Sequence, residues 1–409
     1  MVRRGAERTS SDALSRGTNQ AGVRVYNERL VLSLIRRHGS LPKADIARRT
    51  GLSPQTISTI VNALEDDGIL LRLDPLRGKV GQPLVPYALN PRGAFFLGMK
   101  IGRRSSDVAL IDFSGHVLGR IHQPHPYSTP EVILALAKRG IDELTPLLAP
   151  DERDRISGFG IASPFELWNW KTQFAAPPEV LESWREADIR QAIADICEWP
   201  VYFHNDGTAA CAAELVLGNG QHGDDFLYIF VGSFIGGGVV LNGHLFPGRT
   251  GYGGAIGPMP VPTADGGFQQ ILSSASIYVL AERLTAAGID PKVLWNDPSD
   301  WGDLGEPLEL WIQQAAQSLA LASVSALSII DFRTIVIDGA FPTSVRRRLA
   351  DATRLAISGF DRQGLPPFAI DEGTIGFGAR EVGGACLPLL ANFTQDREVL
   401  FKENATGLR

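Results

Sequence analysis

The stretch Ser53-Pro54-Gln55-Thr56-Ile57-Ser58-Thr59-Ile60-Val61-Asn62-Ala63-Leu64 decides the character of the N-terminal part of this 409-residue chain. It reads as one helix with a marked start. Ser53 is placed as an N-cap, and Pro54 takes the first helical position, where a missing N–H costs nothing. Ile57, Ile60, Val61 and Leu64 recur at i, i+3, i+4 and i+7, which makes a single apolar stripe. At 100° per residue, Gln55, Thr59 and Asn62 fall opposite that stripe, with Thr56 and Ser58 on its flanks. The outward face is therefore short, polar and uncharged. Such side chains can read base edges while nearby Arg and Lys hold phosphates. Ser53, Gln55, Thr56, Ser58, Thr59 and Asn62 are the candidate DNA contacts. The bland alternative is a helical subdomain whose polar face meets only water.

Working outward, a helix is expected over Val25–Arg37, with Leu30, Val31, Leu34 and Ile35 on one face and Gly39 at its end. A shorter one is expected between Pro42 and Gly51. With the turn at Thr50-Gly51-Leu52-Ser53 these make a helix-turn-helix. Downstream, Ile69–Leu73 and Val80–Leu89 read as two strands around the basic turn Asp74–Lys79. Three helices plus a hairpin describe a winged helix-turn-helix over 23–90, preceded by a Ser/Gly/Arg-rich arm at 1–22. Arg77 and Lys79 at the hairpin tip would reach the DNA backbone or minor groove, and Arg48 and Arg49 would touch phosphates.

Charge supports this division. The net charge is −6, but residues 1–92 hold 15 Lys+Arg and 8 Asp+Glu, leaving 24 and 37 for the remainder. A basic module for a polyanion joined to an acidic body is the pattern this suggests. Gly and Pro are scattered without period, which excludes fibrous classes. The three cysteines, Cys197, Cys211 and Cys386, are far apart and offer no disulfide framework or zinc ribbon. No apolar stretch spans a membrane and no secretory signal is expected, so a cytoplasmic location is the expectation.

The region 93–409 alternates strands and helices. Strands are expected at Ala94–Lys100, Asp107–Asp112, His116–Ile121 and Ile156–Ile161, with a helix at Pro130–Leu148. The motif recurs as strands Phe226–Val231 and Gly238–Leu241 with a turn at Asn242-Gly243. Two similar halves imply a two-lobed α/β body with a ligand cleft at strand ends. In Val201–Ala210 a strand feeds a helix through Asn205-Asp206-Gly207. Asp206 there can accept a proton from a sugar hydroxyl, or serve only at the start of the helix. The run Gly236-Gly237-Gly238 suits close approach of a phosphate or sugar, or a tight turn. The loop Gly248–Pro258 suits a mobile ligand-binding segment.

Together these segments resemble the ROK family of repressors, open reading frames and kinases. The carrying motifs are the wing end Gly81-Gln82-Pro83, Asn205–Ala210, Ile235–Gly243 and Asp331–Gly339. The resemblance implies a two-lobed actin-like ATPase body behind a winged helix-turn-helix. Departures then separate the branches. Where the family's kinases carry Asp-Ile-Gly-Gly-Thr for ATP phosphate and metal, this chain reads Lys100-Ile101-Gly102-Arg103-Arg104. The second phosphate loop is Gly232-Ser233-Phe234, in which Phe234 would obstruct a phosphate. Asp206, matching the family's catalytic base, is kept. The family's zinc-site His and sugar-binding Glu fall on Pro258 and Ala255. The cysteine run is replaced around Ala264–Gln270, with Gln270 standing for a second sugar-binding Glu.

The reading that follows has no catalytic residues, no metal and no cofactor. It is a transcriptional regulator, a repressor of carbohydrate-related genes. Its partners are a double-stranded DNA operator and a sugar-like effector held by Asn205, Asp206 and Gln270, and it assembles as a homodimer or homotetramer. Lys100, Arg103 and Arg104 are read as solvated surface charge in preference to an anion site. The rivals are a carbohydrate kinase with an accessory DNA-binding head and an effector-independent DNA-binding scaffold.

Overall fold

A computed structural model describes residues 20–76, 84–167 and 176–396. They fall into two compact units. The first comprises described residues up to 95, together with 112–114 and 389–396. Its elements are α1 (Gln20–His38), β1 (Ser40–Pro42), α2 (Lys43–Thr50), α3 (Pro54–Asp66), β2 (Leu70–Arg72) and β3 (Pro86–Leu89). The sheet order is β1-β3-β2, with β3 antiparallel to both neighbours. β1 goes unanticipated by the sequence reading, since three residues carry no periodicity. It closes the wing's base against the helices. Arg77 and Lys79, and with them the tip of the hairpin, lie outside the described residues, as does most of the 1–22 arm.

The stripe of α3 is buried as expected: Ile57, Ile60, Val61 and Leu64 are all inside. Each such side chain contributes roughly 1.5–3 kcal/mol by leaving water. Gly51 ends α2 at φ 71, a left-handed turn that a Cβ would strain, and its N–H bonds Ala47 O at 2.9 Å. In α1 the buried face is rotated from the one expected. Val25, Glu28, Val31, Leu32 and Ile35 are buried, while Leu30 and Leu34 are only half-covered. Glu28 shares the inner face, its carboxylate paired with the exposed Arg24 at 2.7 Å.

The second unit holds the remaining residues, from 96 to 388. Its first sheet contains β4 (Phe95–Ile101), β5 (Ser105–Asp112), β6 (Val117–Pro124), β7 (Ile156–Ser163) and β8 (Val201–Asn205), in the order β6-β5-β4-β7-β8. Helices α4 (Pro130–Leu144), α5 (Pro150–Arg153), α6 (Pro178–Glu186) and α7 (Ile189–Ala194) lie along this half, and α8 (Asp206–Leu217) leaves it. The second sheet contains β9 (Phe226–Val231), β10 (Ile235–Leu241) and β11 (His244–Leu245), with β14 (Thr334–Gly339) and β15 (Ala369–Glu372). Its order is β11-β10-β9-β14-β15. Between them in sequence come β12 (Pro260–Pro262), β13 (Phe268–Gln270), α9 (Leu272–Ala275), α10 (Ile277–Ala286), α11 (Val293–Asn296) and α12 (Gly305–Leu327). α13 (Thr343–Ile357) joins β14 to β15, and α14 (Ala379–Phe393) follows.

Both sheets therefore repeat one plan. The first strand is central, the second and third run outward on one side, and the fourth and fifth lie on the other. Central strands β4 and β9 are buried at every position, the unbroken apolar pattern of a sheet covered on both faces. This duplication is the two-lobed actin-like body expected from the resemblance.

Glycine decides how closely the pieces pack. A Cβ on Gly160 of β7 would lie 1.9 Å from Gly384 O, and one on Gly383 the same distance from Ala209 O. α14 thus lies backbone-to-backbone against β7 and α8, a seat that side chains would close. Gly238 of the Gly236–Gly238 run has a similar role. It lies inside β10, where a Cβ on Gly238 would meet Cys211 of α8 at 2.4 Å.

Candidate DNA-reading face and ligand cleft

On the first unit, α3 presents the expected polar face. Gln55, Thr59 and Asn62 are exposed, with Thr56 and Ser58 half-buried beside them. Ser53 caps the helix, its Oγ accepting from Thr56 N at 3.1 Å. Thr59 donates its hydroxyl back to Gln55 O at 3.1 Å. Asn62 is occupied: its Oδ1 accepts from Lys43 Nζ of α2, and the Lys43 ammonium also lies 5.0 Å from the Tyr87 ring centre. Arg48 and Arg49, at the end of α2, are exposed; Arg48 pairs with Asp45 at 3.0 Å.

In the second unit a cleft of about 1210 Å³ is lined by residues of both lobes. Asn205, Asp206 and Gln270 all line it, so the three candidate effector contacts converge across stretches of chain that the sequence separates. Asn205 is also the N-cap of α8, its Oδ1 accepting from Gly207 N at 3.0 Å. The structure thus gives the cap to Asn205, with Asp206 as the first residue of the helix. Asp206 is not free: its Oδ2 accepts from Arg380 Nη1 of α14 at 3.3 Å. Ala255 and Pro258 line the cleft as well, so no carboxylate or imidazole projects from those positions.

The β4–β5 hairpin departs most from expectation. Lys100 is not solvated surface charge; it is buried, and its Nζ contacts Asp107 Oδ2 at 2.7 Å and Ser105 Oγ at 3.2 Å. On the other side of Asp107, His122 Nδ1 lies 2.5 Å from Oδ1. Burial opposes the charge on Asp107, but Lys100 and His122 outweigh it and hold the carboxyl below its ordinary range. Glu381, at the start of α14, is fully buried beside Arg120 at 2.9 Å. Burial pushes its carboxyl up, with Lys100 opposing, Asp107 reinforcing and Arg120 opposing that shift.

Arg103 and Arg104 follow in the same hairpin. The Arg103 guanidinium lies 5.1 Å from the Phe234 ring centre, and that of Arg104 4.6 Å from Trp295. Phe234, in the β9–β10 turn, is further braced edge-on by Tyr278 at 5.4 Å. The two turns that carry phosphate loops in the family's kinases thus meet through an Arg–aromatic stack.

Sequence reasoning missed Asp107, Arg120, His122, Arg380 and Glu381. A faint signal existed: a Lys inside the otherwise apolar Phe95–Ile101 strand must find a carboxylate when buried. Which carboxylate it finds is a matter of hairpin register. Among the described residues no cluster of His, Cys, Asp and Glu is arranged to hold a metal ion, and no helix is long and apolar enough to cross a membrane.

A winged helix on the same chain as a duplicated, cleft-bearing lobe pair defines a class of sugar-kinase-like proteins equipped with a DNA-binding head. A model of the ROK family matches residues 96–346, and one described as winged helix-turn-helix DNA-binding matches 26–70. The chain belongs to the ROK family. The xylose repressor of Bacillus subtilis (strain 168) is 24% identical over 59% of this chain and 62% of its own length. The DNA-binding transcriptional dual regulator NagC of Escherichia coli (strain K12) is 23% identical over 67% and 69%. The crystal structure of a ROK family transcriptional regulator, a homologue of the E. coli MLC protein, has the same fold. It is 21% identical, covers 93% of this chain and 99% of that one, and superposes with a TM-score of 0.63.

Proposed function

We propose that this protein is a DNA-binding transcriptional regulator, a repressor of carbohydrate-related genes, whose lobed body binds a sugar or sugar-derived effector. Residues 23–90 would form the DNA-binding domain and 93–409 the effector and oligomerisation domain. Ser53, Gln55, Thr56, Ser58 and Thr59 would contact the operator from the major groove, with Asn62 steadied by Lys43. Arg77 and Lys79 would reach the backbone or minor groove from the wing. Asn205, Asp206 and Gln270 would touch the effector. A two-fold dimer, or a tetramer built as a dimer of dimers, on a palindromic site suits such modules.

The observation that carries the reading against catalysis is the Lys100–Asp107 pair. An ammonium stands where phosphoryl transfer by this fold places a carboxylate, and positioning plus charge are what that chemistry depends on. Asp206 could serve as a base, but Arg380 engages its carboxylate. Its retention is the feature that favours a kinase, and a coupled assay of ATP turnover with a hexose panel separates the two. No turnover is expected.

A route from cleft to DNA is offered by α14. Arg380 and Glu381 at its start line the cleft, and its residues from Leu389 onward share a compact unit with the winged helix. An effector that moves α14 would alter the DNA-binding unit and hence operator affinity. The test is binding to DNA from the gene's own upstream region at fixed salt, with and without pooled sugars, since phosphate contacts make affinity salt-dependent. Specific binding that one pool weakens is the expected result. Absence of specific binding overturns the regulator reading, and binding that no pool alters favours the scaffold.

A further inference from the structure

Arg380, the second residue of α14, brings a charge into the middle of the proposed effector site. Its Nη1 donates to Asp206 Oδ2 at 3.3 Å, and the guanidinium lies 5.1 Å from the ring centre of Phe230 in β9. The Arg380 and Asp206 side chains are 15% and 22% exposed and both line the cleft, so the pair is deep without being sealed. It is also underbonded. Charge-assisted bonds are ordinarily about 2.7–2.9 Å long, shorter than this one. Among the described residues Arg380 Nε is buried with no hydrogen-bond partner. Asp206 Oδ1 accepts from Gly207 N at 3.1 Å, a contact within its own helix. Glu381, the next residue of α14, is by contrast held by Arg120 at 2.9 Å. A guanidinium N–H shut away from water without an acceptor costs free energy, so folding alone accounts poorly for a half-bonded arginine in a ligand cleft.

The chemistry of the pair selects a ligand group. A bound anion is repelled by Asp206, and a bound cation by Arg380. A hydroxyl meets neither penalty, because it donates its O–H to the carboxylate and accepts an N–H from the guanidinium. Two neighbouring hydroxyls on one ring can engage both charged groups at once. Ala255 and Pro258 line the same cleft and offer no hydrogen-bonding side chain, so a donor from α14 supplies what those positions lack.

We propose that Arg380 is an effector contact, forming with Asp206 a donor-and-acceptor clamp for two adjacent hydroxyls of an uncharged sugar. The proposal rests on the reading of the cleft as the effector site. Asn205 and Gln270 contact other parts of the same ligand, and Phe230 holds the plane of the guanidinium from beneath. The clamp also puts an effector contact on α14 itself, whose residues from Leu389 onward belong to the compact unit of the winged helix.

The test is calorimetric titration of the full chain with xylose, glucose, mannose, N-acetylglucosamine and glucuronate. The neutral sugar that binds most tightly is then compared with its monodeoxy analogues in wild type, Arg380→Met and Arg380→Lys. In wild type, loss of one hydroxyl of an adjacent pair should weaken binding about tenfold or more. Arg380→Met should weaken binding of the parent sugar about as much and bind sugar and analogue alike, while Arg380→Lys keeps part of the discrimination. A merely structural arginine would instead weaken both ligands by one factor and leave their ratio intact, which overturns the clamp. Unchanged affinity in Arg380→Met, or a wild type indifferent to every deoxy analogue, overturns it too. Tighter binding of glucuronate than of any neutral sugar overturns the uncharged class. Failure of wild type to bind any of the five sugars overturns the effector reading itself, a result distinct from sugar binding that ignores Arg380. Circular dichroism checks folding, and Arg380→Lys carries the comparison should Arg380→Met fail to fold.

Discussion

Replacing Lys100 by methionine tests whether the kinase-like cleft has become a structural ion-pair network. Lys100 and Asp107 have side chains only 10% and 6% exposed, with Nζ and Oδ2 2.7 Å apart. At an effective dielectric constant of about 20 the attraction is about 6 kcal/mol. Desolvation of each ion costs several kcal/mol in return, so the pair itself adds little net stability. Its members are nevertheless mutually dependent. Removing one partner of a buried pair costs about 3–5 kcal/mol, and His122 beside Asp107 brings the expected loss to the lower end, roughly 3 kcal/mol at pH 7.5. The variant's pH dependence follows from the sign of the shift. In the wild type the Asp107 carboxyl lies below its ordinary range, so its contribution is present above about pH 4 and is lost as pH falls through the folded value. Without Lys100, burial dominates and the folded pKa rises. Stability is then complete below about pH 4 and is lost as pH rises through the new value, so the deficit should shrink between pH 7.5 and pH 5. Urea unfolding followed by tryptophan emission at both pH values measures it. The Lys100→Met/Asp107→Leu double variant, free of stranded charge, should return to within about 1.5 kcal/mol of wild type. A single variant within about 1 kcal/mol of wild type at pH 7.5, or a double variant no better than the single, would refute the reasoning.

His222 lies between Glu214 Oε1 and Asp371 Oδ2, each at 3.0 Å. Burial works against its charge, yet the two carboxylates raise its pKa. Stability from this clamp is complete below about pH 6.5 and is lost as pH rises through the folded value. The melting temperature of wild type should therefore fall towards that of His222→Gln from pH 6 to 8.5, and parallel curves would contradict the clamp. Gln55→Ala should weaken operator binding by about 1–3 kcal/mol without changing the salt dependence, read by titration at several salt concentrations; a changed slope would assign Gln55 to phosphate instead. Ser53→Ala should cost about 1 kcal/mol of stability through loss of the α3 cap, measured by thermal unfolding. Gly160→Ala puts a Cβ 1.9 Å from Gly384 O and should cost about 3 kcal/mol or more; a variant as stable as wild type would show that α14 can shift.

What the sequence determined by itself is local and periodic. The stripe of α3, its Ser53 cap and Pro54 start, and the left-handed Gly51 turn are set by neighbours within a turn or two of helix. The apolar runs of β4 and β9 and the strand-to-helix passage at Asn205-Asp206 are equally short-range. Those features were enough for a winged helix in front of a duplicated α/β body, and the order of motifs was enough for the family resemblance. The tertiary structure alone decided which charged groups meet. Lys100 looks like surface charge in the sequence because its partner depends on the register of a hairpin, and Arg120 meets Glu381 only when α14 seats on Gly160. On α1 a glutamate, Glu28, shares the buried face with Arg24 paired to it, a placement that apolar periodicity does not encode. Within the run Gly236–Gly238, Gly238 packs closely on Cys211 of α8 while Gly236 lines the cleft, a division that only the fold decides. Hydrophobic pattern is read residue by residue along the chain, whereas the state of a buried charge depends on the groups the fold sets beside it, across one hairpin for Lys100 and Asp107 and from a distant helix for Arg120 and Glu381.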